Sequence, residues 1–221
     1  MEPLPALRPP QQSRSRASFE RVLDAGAQLL AQQGYDAFTI AELSQRANVS
    51  VGAIYARVDS KETLVLAIHE REMTRIGREQ RIFEQDRRWA GLSDAALVDA
   101  LVHELSALML RNQAILRVFQ IRAASDARIA DAGSRASHDL ARAWEARALT
   151  CRDSFTHANA ERAVDVCFRV VYAAFIRRVL HGPTFESPRA LSWEQLADEL
   201  VALCTAYLFG AVVVDSAQVA Q

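Results

Sequence analysis

From residue 15 to the dipeptide Gly182-Pro183 the chain is poor in the two residues that interrupt helices, glycine and proline. Through this stretch apolar side chains recur at three- and four-residue spacing, and no segment sustains the alternation of a strand. With 221 residues, half of them hydrophobic, such a chain is expected to be all-α, with about nine helices. It is long enough for one good-sized core, or for a small domain joined to a larger one.

Residues 1–14 hold four prolines and little apolar material, and are expected to form a disordered arm. A first helix is predicted from about Ser15 or Ser18 to Gln33, with Phe19, Val22, Leu23, Leu29 and Leu30 on one stripe and Gly34 as a left-handed cap. Three short elements follow as far as Asp59. A long helical pattern then runs from Ser60 towards Trp89 and breaks at Ala90-Gly91. Ser93 can cap the next helix, lined by Leu97, Leu101, Leu105 and Leu108. Further helices are predicted over 112–122, 126–152, 158–181 and 192–213. The expected organisation is an arm (1–14), a three-helix domain (15–60) and a larger helical domain (61–221).

Residues 39–58 carry the most information. Thr39 and Glu42 have the spacing of a capping box, which opens a short helix whose Ile40 and Leu43 share a face. Ala41 and Ala47 leave room for a second helix to cross closely. Asn48 tolerates a left-handed turn, Val49 plugs the space between the helices, and Ser50 caps the second helix. On that helix Ile54 points inward, which leaves Val51, Gly52, Ala53 and Tyr55 outside. Two short helices joined by such a turn form a helix-turn-helix, whose second helix enters the DNA major groove. Gly52 and Ala53 are small enough for close approach to base edges, and Val51 or Ala53 can touch a thymine methyl. Tyr55 offers a hydroxyl to phosphate. Thr39, Ser50 and Lys61 stand at helix N-termini, where phosphate is favoured.

The run resembles the DNA-binding signature of the TetR/AcrR family. Gly34, Thr39, Leu43, Ala47, Val49, Ser50, Gly52, Ile54, Tyr55, Ser60-Lys61-Glu62 and Leu64 occur in matching order. The match covers about residues 15–66, less than a third of the chain. Asn48 stands where the family usually has glycine, and Arg57-Val58 where histidine or tyrosine and then phenylalanine are usual. Val58 fills less volume, and Arg57 can add a phosphate contact.

The resemblance implies a ligand-responsive transcriptional regulator, of repressor type, on a palindromic double-stranded operator. It also implies a homodimer through the last two long helices, with a small-molecule effector bound among the helices between about 61 and 175. Val164, Phe168, Val171, Tyr172 and Phe175, with Leu196, Leu200, Leu203 and Tyr207, supply apolar surface for that pairing, although ordinary core leaves the same pattern. Candidate pocket residues are His103, Met109, Phe119, His138, Trp144 and Phe175. The effector would change the separation of the two recognition helices, which DNA sets at about 34–36 Å.

Charge adds a constraint. The net charge is −1, and residues 1–62 hold seven basic and seven acidic side chains, so DNA binding must be local. The imbalance lies near the arm, where Arg8, Arg14, Arg16 and Arg21 face only Glu20; Arg14 and Arg16 either reach a minor groove or decorate a solvated tail. Cys151, Cys167 and Cys204 are too scattered for a metal or redox motif, and no histidine pairs at helical spacing with a second ligand, so neither metal nor cofactor is expected. No catalytic motif is present and no enzyme is expected. No export signal is apparent, and the apolar run Leu200 to Val214 falls short of the roughly 20 residues of a membrane span. A cytoplasmic protein without a membrane partner is expected. The main alternative class is an all-helical enzyme, and a third is a DNA-bound structural or adaptor protein on the same scaffold, without an effector.

Overall fold

The computed structural model describes residues 13–210, which contain nine α-helices and no strand. The expected arm lies outside the described residues as far as residue 12, and Ser13 and Arg14 already belong to α1 (Ser13–Ala37). This helix breaks at Gly34, with φ 80° and ψ −178°. That is an extended positive-φ conformation essentially reserved for glycine, in place of the left-handed helical cap expected. α2 (Ile40–Ala47), α3 (Val51–Tyr55) and α4 (Lys61–Gln80) follow.

α4 stops nine residues short of Trp89. A 3-10 turn (Arg81–Glu84), an extended Gln85 and the four-residue α5 (Asp86–Trp89) take its place. The cause is burial. Phe83 and Trp89 are six residues apart and would lie on different sides of a continuous helix. Folded back, their rings stack at 6.0 Å and both are buried, while the Trp89 indole N–H donates to the Ile82 carbonyl at 3.0 Å.

α6 (Asp94–Ala123) is one helix of 30 residues, without the expected interruption before residue 112. Within it Asn112 is buried, and its Oδ1 accepts from Arg75 Nη2 at 2.6 Å. Next come α7 (Ala127–Ala148), a 3-10 turn (Leu149–Ser154), α8 (Ala160–His181) and α9 (Trp193–Phe209). Asn159 caps α8, and Ser192 with Gln195 forms a complete capping box on α9. Among the described residues no helix is long and apolar enough to cross a membrane.

The chain forms two compact units. Among the described residues, one takes 13–78 together with Asn112–Ala136; the other takes Glu79–Arg111 and 137–210. In the first, Val22, Leu30, Leu43, Ile54, Val58, Leu64 and Ile68 are fully buried together. α1 and α4 approach so closely that a Cβ on Gly26 would stand 2.5 Å from Ile68 Cδ1. Arg71 of α4 reinforces this contact with hydrogen bonds to the Glu20 carbonyl and the Asp24 carboxylate. His69, also buried, sits edge-on against Phe119 at 4.6 Å, and burial pushes its pKa down to about 4. In the second unit Trp144 and Phe175 are fully buried. Trp144 packs on Phe168 at 5.7 Å, Phe168 stacks on Tyr172 at 5.5 Å, and the Tyr172 hydroxyl meets Ser137 Oγ at 2.6 Å.

Candidate nucleic-acid interface

The first unit presents α2 and α3 as a tight helix-turn-helix. Thr39 Oγ1 accepts from the Glu42 amide at 3.2 Å and opens α2. The reciprocal half of the expected capping box is not formed: the Glu42 carboxylate accepts from Gln33 Nε2 of α1 at 2.9 Å. Asn48 adopts the left-handed conformation (φ 51°, ψ 50°), and its amide and that of Val49 donate back to Gln45 and Ser44. Ser50 Oγ then accepts from the Ala53 amide at 3.2 Å, which starts α3.

α3 has one buried residue, Ile54. Val51, Gly52, Ala53 and Tyr55 are all exposed, Val51 at 40% and Tyr55 at 45%. A Cβ built on Gly52 would meet nothing within 4 Å, and Gly52 does not have a positive φ. Neither packing nor backbone conformation within the described residues therefore requires glycine there. Thr39 and Ser50 are exposed on the same helix-turn-helix.

Two of the cations expected at phosphate are already engaged inside the unit. Lys61 Nζ donates to the Tyr35 carbonyl at 2.8 Å and lies 4.4 Å above the Tyr35 ring. It thereby ties the start of α4 to the stretch of α1 that follows the Gly34 break. The Arg122 guanidinium, from the end of α6, lies 4.1 Å from the same ring. The Tyr35 hydroxyl donates to Glu62 at 3.0 Å; burial, then this bond, raises its pKa. Arg57 folds back to Ser15 Oγ and lies 5.5 Å from the Phe19 ring. It helps to line a cleft of about 280 Å³ with Ser15, Ser18, Arg21, Asn48 and Ser50. Val58, in the place of a larger aromatic residue, is fully buried.

Arg16 is exposed near the start of α1; for Arg14 only the helical backbone is described. The residues proposed for an effector divide between the two units. Met109, Trp144 and Phe175 are buried in the second unit, whereas Phe119 is buried in the first. The Trp144 indole N–H is spent on the Leu101 carbonyl at 3.4 Å. His103 is half-buried and meets Asp198 at 3.1 Å, while His138 is exposed. Ser15, Ser18 and Phe19 are legible in the sequence only as parts of the first helix; in the fold they line the cleft beside the turn, where Arg57 reaches Ser15 and Phe19.

Residues 22–68 match the family described as "Bacterial regulatory proteins, tetR family". The uncharacterized HTH-type transcriptional regulator YvkB of Bacillus subtilis (strain 168) is 42% identical over 53 residues, which span 24% of this chain and 28% of that protein. Solved structures extend the likeness of fold over most of the chain. A TetR transcription regulator from Haloarcula marismortui ATCC 43049 superposes with a TM-score of 0.65 at 17% identity, covering 87% of this chain and 97% of its own. Salmonella enterica GusR gives 0.63 at 19% identity, over 87% and 95% of the two chains.

Proposed function

We propose, from the match of residues 22–68 to the tetR family of bacterial regulatory proteins and the likeness of fold over most of the chain, that this protein is a transcriptional repressor that binds a palindromic operator as a homodimer and is released by a small-molecule effector. The observation that carries the reading is the composition of α3: one buried anchor, Ile54, and an outward surface of Val51, Gly52, Ala53 and Tyr55. In this reading α3 lies in the major groove. Val51 and Ala53 touch base edges, Gly52 allows close approach, and Tyr55, Thr39 and Ser50 contact phosphate. Arg57 contributes by walling the cleft beside the turn. Lys61 acts first by fixing the start of α4 against Tyr35, with its remaining N–H groups left for phosphate. In this reading Arg14 and Arg16 would follow the DNA backbone towards a minor groove.

The partner for dimerisation is a second copy of this chain, held through α8 and α9. On these helices Val164, Phe168, Val171, Phe175 and Leu200 are buried, but Val170, Leu203 and Tyr207 remain exposed at 46%, 60% and 41%. An exposed apolar strip on two adjacent long helices is the surface that a four-helix bundle would cover. The effector would act from the helices beyond the reading head, and the protein would work in the cytoplasm, where operator DNA lies.

The test is selection of bound duplexes from a random pool, followed by footprinting and sedimentation of the complex. The expected result is an inverted repeat with half-sites about 34–36 Å apart, occupied by two chains. A protein that stays monomeric at micromolar concentration and enriches no sequence would overturn the proposal. A bound duplex that no small molecule releases, in a thermal-shift-guided screen, would favour the adaptor reading.

A further inference from the structure

α8 and α9 are consecutive helices, and contacts near both ends fix how they run against each other. At one end the Phe175 ring and the Arg178 guanidinium of α8 meet the Trp193 ring at the start of α9, at 5.8 and 5.6 Å. At the other, the amide of Thr156, four residues before α8, donates to the Leu208 carbonyl at 2.8 Å. The pair is therefore antiparallel. Cys167 stands eleven residues back from Arg178, and Cys204 stands eleven residues on from Trp193. Eleven residues carry each helix about 16 Å along its axis and bring it back, after three turns, to nearly the same face. The two cysteines thus reach the same level on facing sides. Both are buried and neither is in a disulfide.

We propose that Cys167 and Cys204 are a reversible dithiol–disulfide pair that staples α8 to α9 within one chain when the protein meets a peroxide. The reaction balances with a hydroperoxide as oxidant. One of the two sulfurs attacks the peroxide oxygen as a thiolate, the O–O bond breaks, an alcohol or water leaves with the released proton, and a sulfenic acid remains. The other sulfur then attacks that sulfur, the S–S bond forms and water leaves. Cys151 has a different setting. It lies in the 3-10 turn before α8, outside the pair; its thiol donates to the Ala148 carbonyl at 3.1 Å, and burial pushes its pKa up to about 11.

The experiment exposes the full chain to hydrogen peroxide, blocks the remaining thiols with N-ethylmaleimide, and maps the peptides by mass spectrometry without reductant. The expected result is a chain lighter by about 2 Da before blocking, with one alkylated cysteine, Cys151, and a 167–204 cross-linked peptide that dithiothreitol reverses. The oxidised chain should also melt several degrees higher than the reduced one, because a cross-link between helices restricts the unfolded state. Cys151→Ala should leave the cross-link intact, and either Cys167→Ala or Cys204→Ala should abolish it. Three alkylated cysteines after exposure, a cross-link through Cys151, or one between two chains would overturn the proposal.

Discussion

Replacing Gly52 by alanine separates what the fold needs from what a partner needs. Within the protein the new methyl enters open space, since nothing lies within 4 Å of an ideal Cβ there. The residue is inside α3 with ordinary negative φ, where glycine costs about 0.5–1 kcal/mol relative to alanine. The variant should therefore gain about that much, which for a chain of this size raises the melting midpoint by about 1–4 °C. Against a DNA groove the same methyl lies on the approaching surface. Overpacking a close contact costs about 1–3 kcal/mol, which is about a 5- to 150-fold rise in Kd. Differential scanning calorimetry reads the first effect. Fluorescence anisotropy, on a duplex selected with the unsubstituted chain, reads the second. A stabilised variant with unchanged affinity would show that Gly52 does not face the groove closely, and a lowered midpoint would show that its surroundings are not open.

Three other outcomes follow from the same packing. His69 is neutral in the folded protein down to about pH 4 but takes a proton near pH 6.5 when unfolded, so stability falls as the solution is acidified between those values, by about 2 kcal/mol at pH 5. His69→Met keeps the contact with Phe119 and should flatten that slope in urea titrations at pH 7 and 5; an unchanged slope would assign the effect elsewhere. Lys61→Ala removes a charge-assisted hydrogen bond and a ring contact, and should cost about 1–2 kcal/mol of stability before any effect on DNA is counted; a stability equal to that of the parent would mean that Lys61 does not hold α4 in place. Tyr55→Phe deletes only an exposed hydroxyl, so its melting midpoint should not move while binding weakens about equally on selected and unrelated duplexes; selective weakening on the selected site would move Tyr55 from phosphate to base.

The local grammar of the helix-turn-helix was legible in the sequence because each of its parts is decided by residues three or four apart. Ser50 reaches the Ala53 amide, and Asn48 takes the left-handed turn. The break at Gly34 was equally readable, although its extended ψ was not. Spacing could not tell which distant group competes for a side chain. Glu42 abandons its own cap for Gln33, Arg57 folds onto α1, and Lys61 is claimed by Tyr35. Helix ends were missed for the same reason. The turn after Gln80 is decided by Phe83 meeting Trp89, and the continuity of α6 by Arg75 reaching Asn112. A sequence nominates pocket residues by type alone, and type does not reveal that Trp144 spends its indole N–H on a backbone carbonyl or that His138 is exposed.

The reading head is sewn from two separate lengths of chain. Tyr35 is flanked by Lys61 and by Arg122, and His69 leans on Phe119, so the stretch Asn112–Ala136 is part of what keeps residues 13–78 in order. A chimera that grafts only the first sixty residues onto another body would leave Tyr35 bare on both sides. Exchanging the specificity of such a protein means transplanting the second length together with the first.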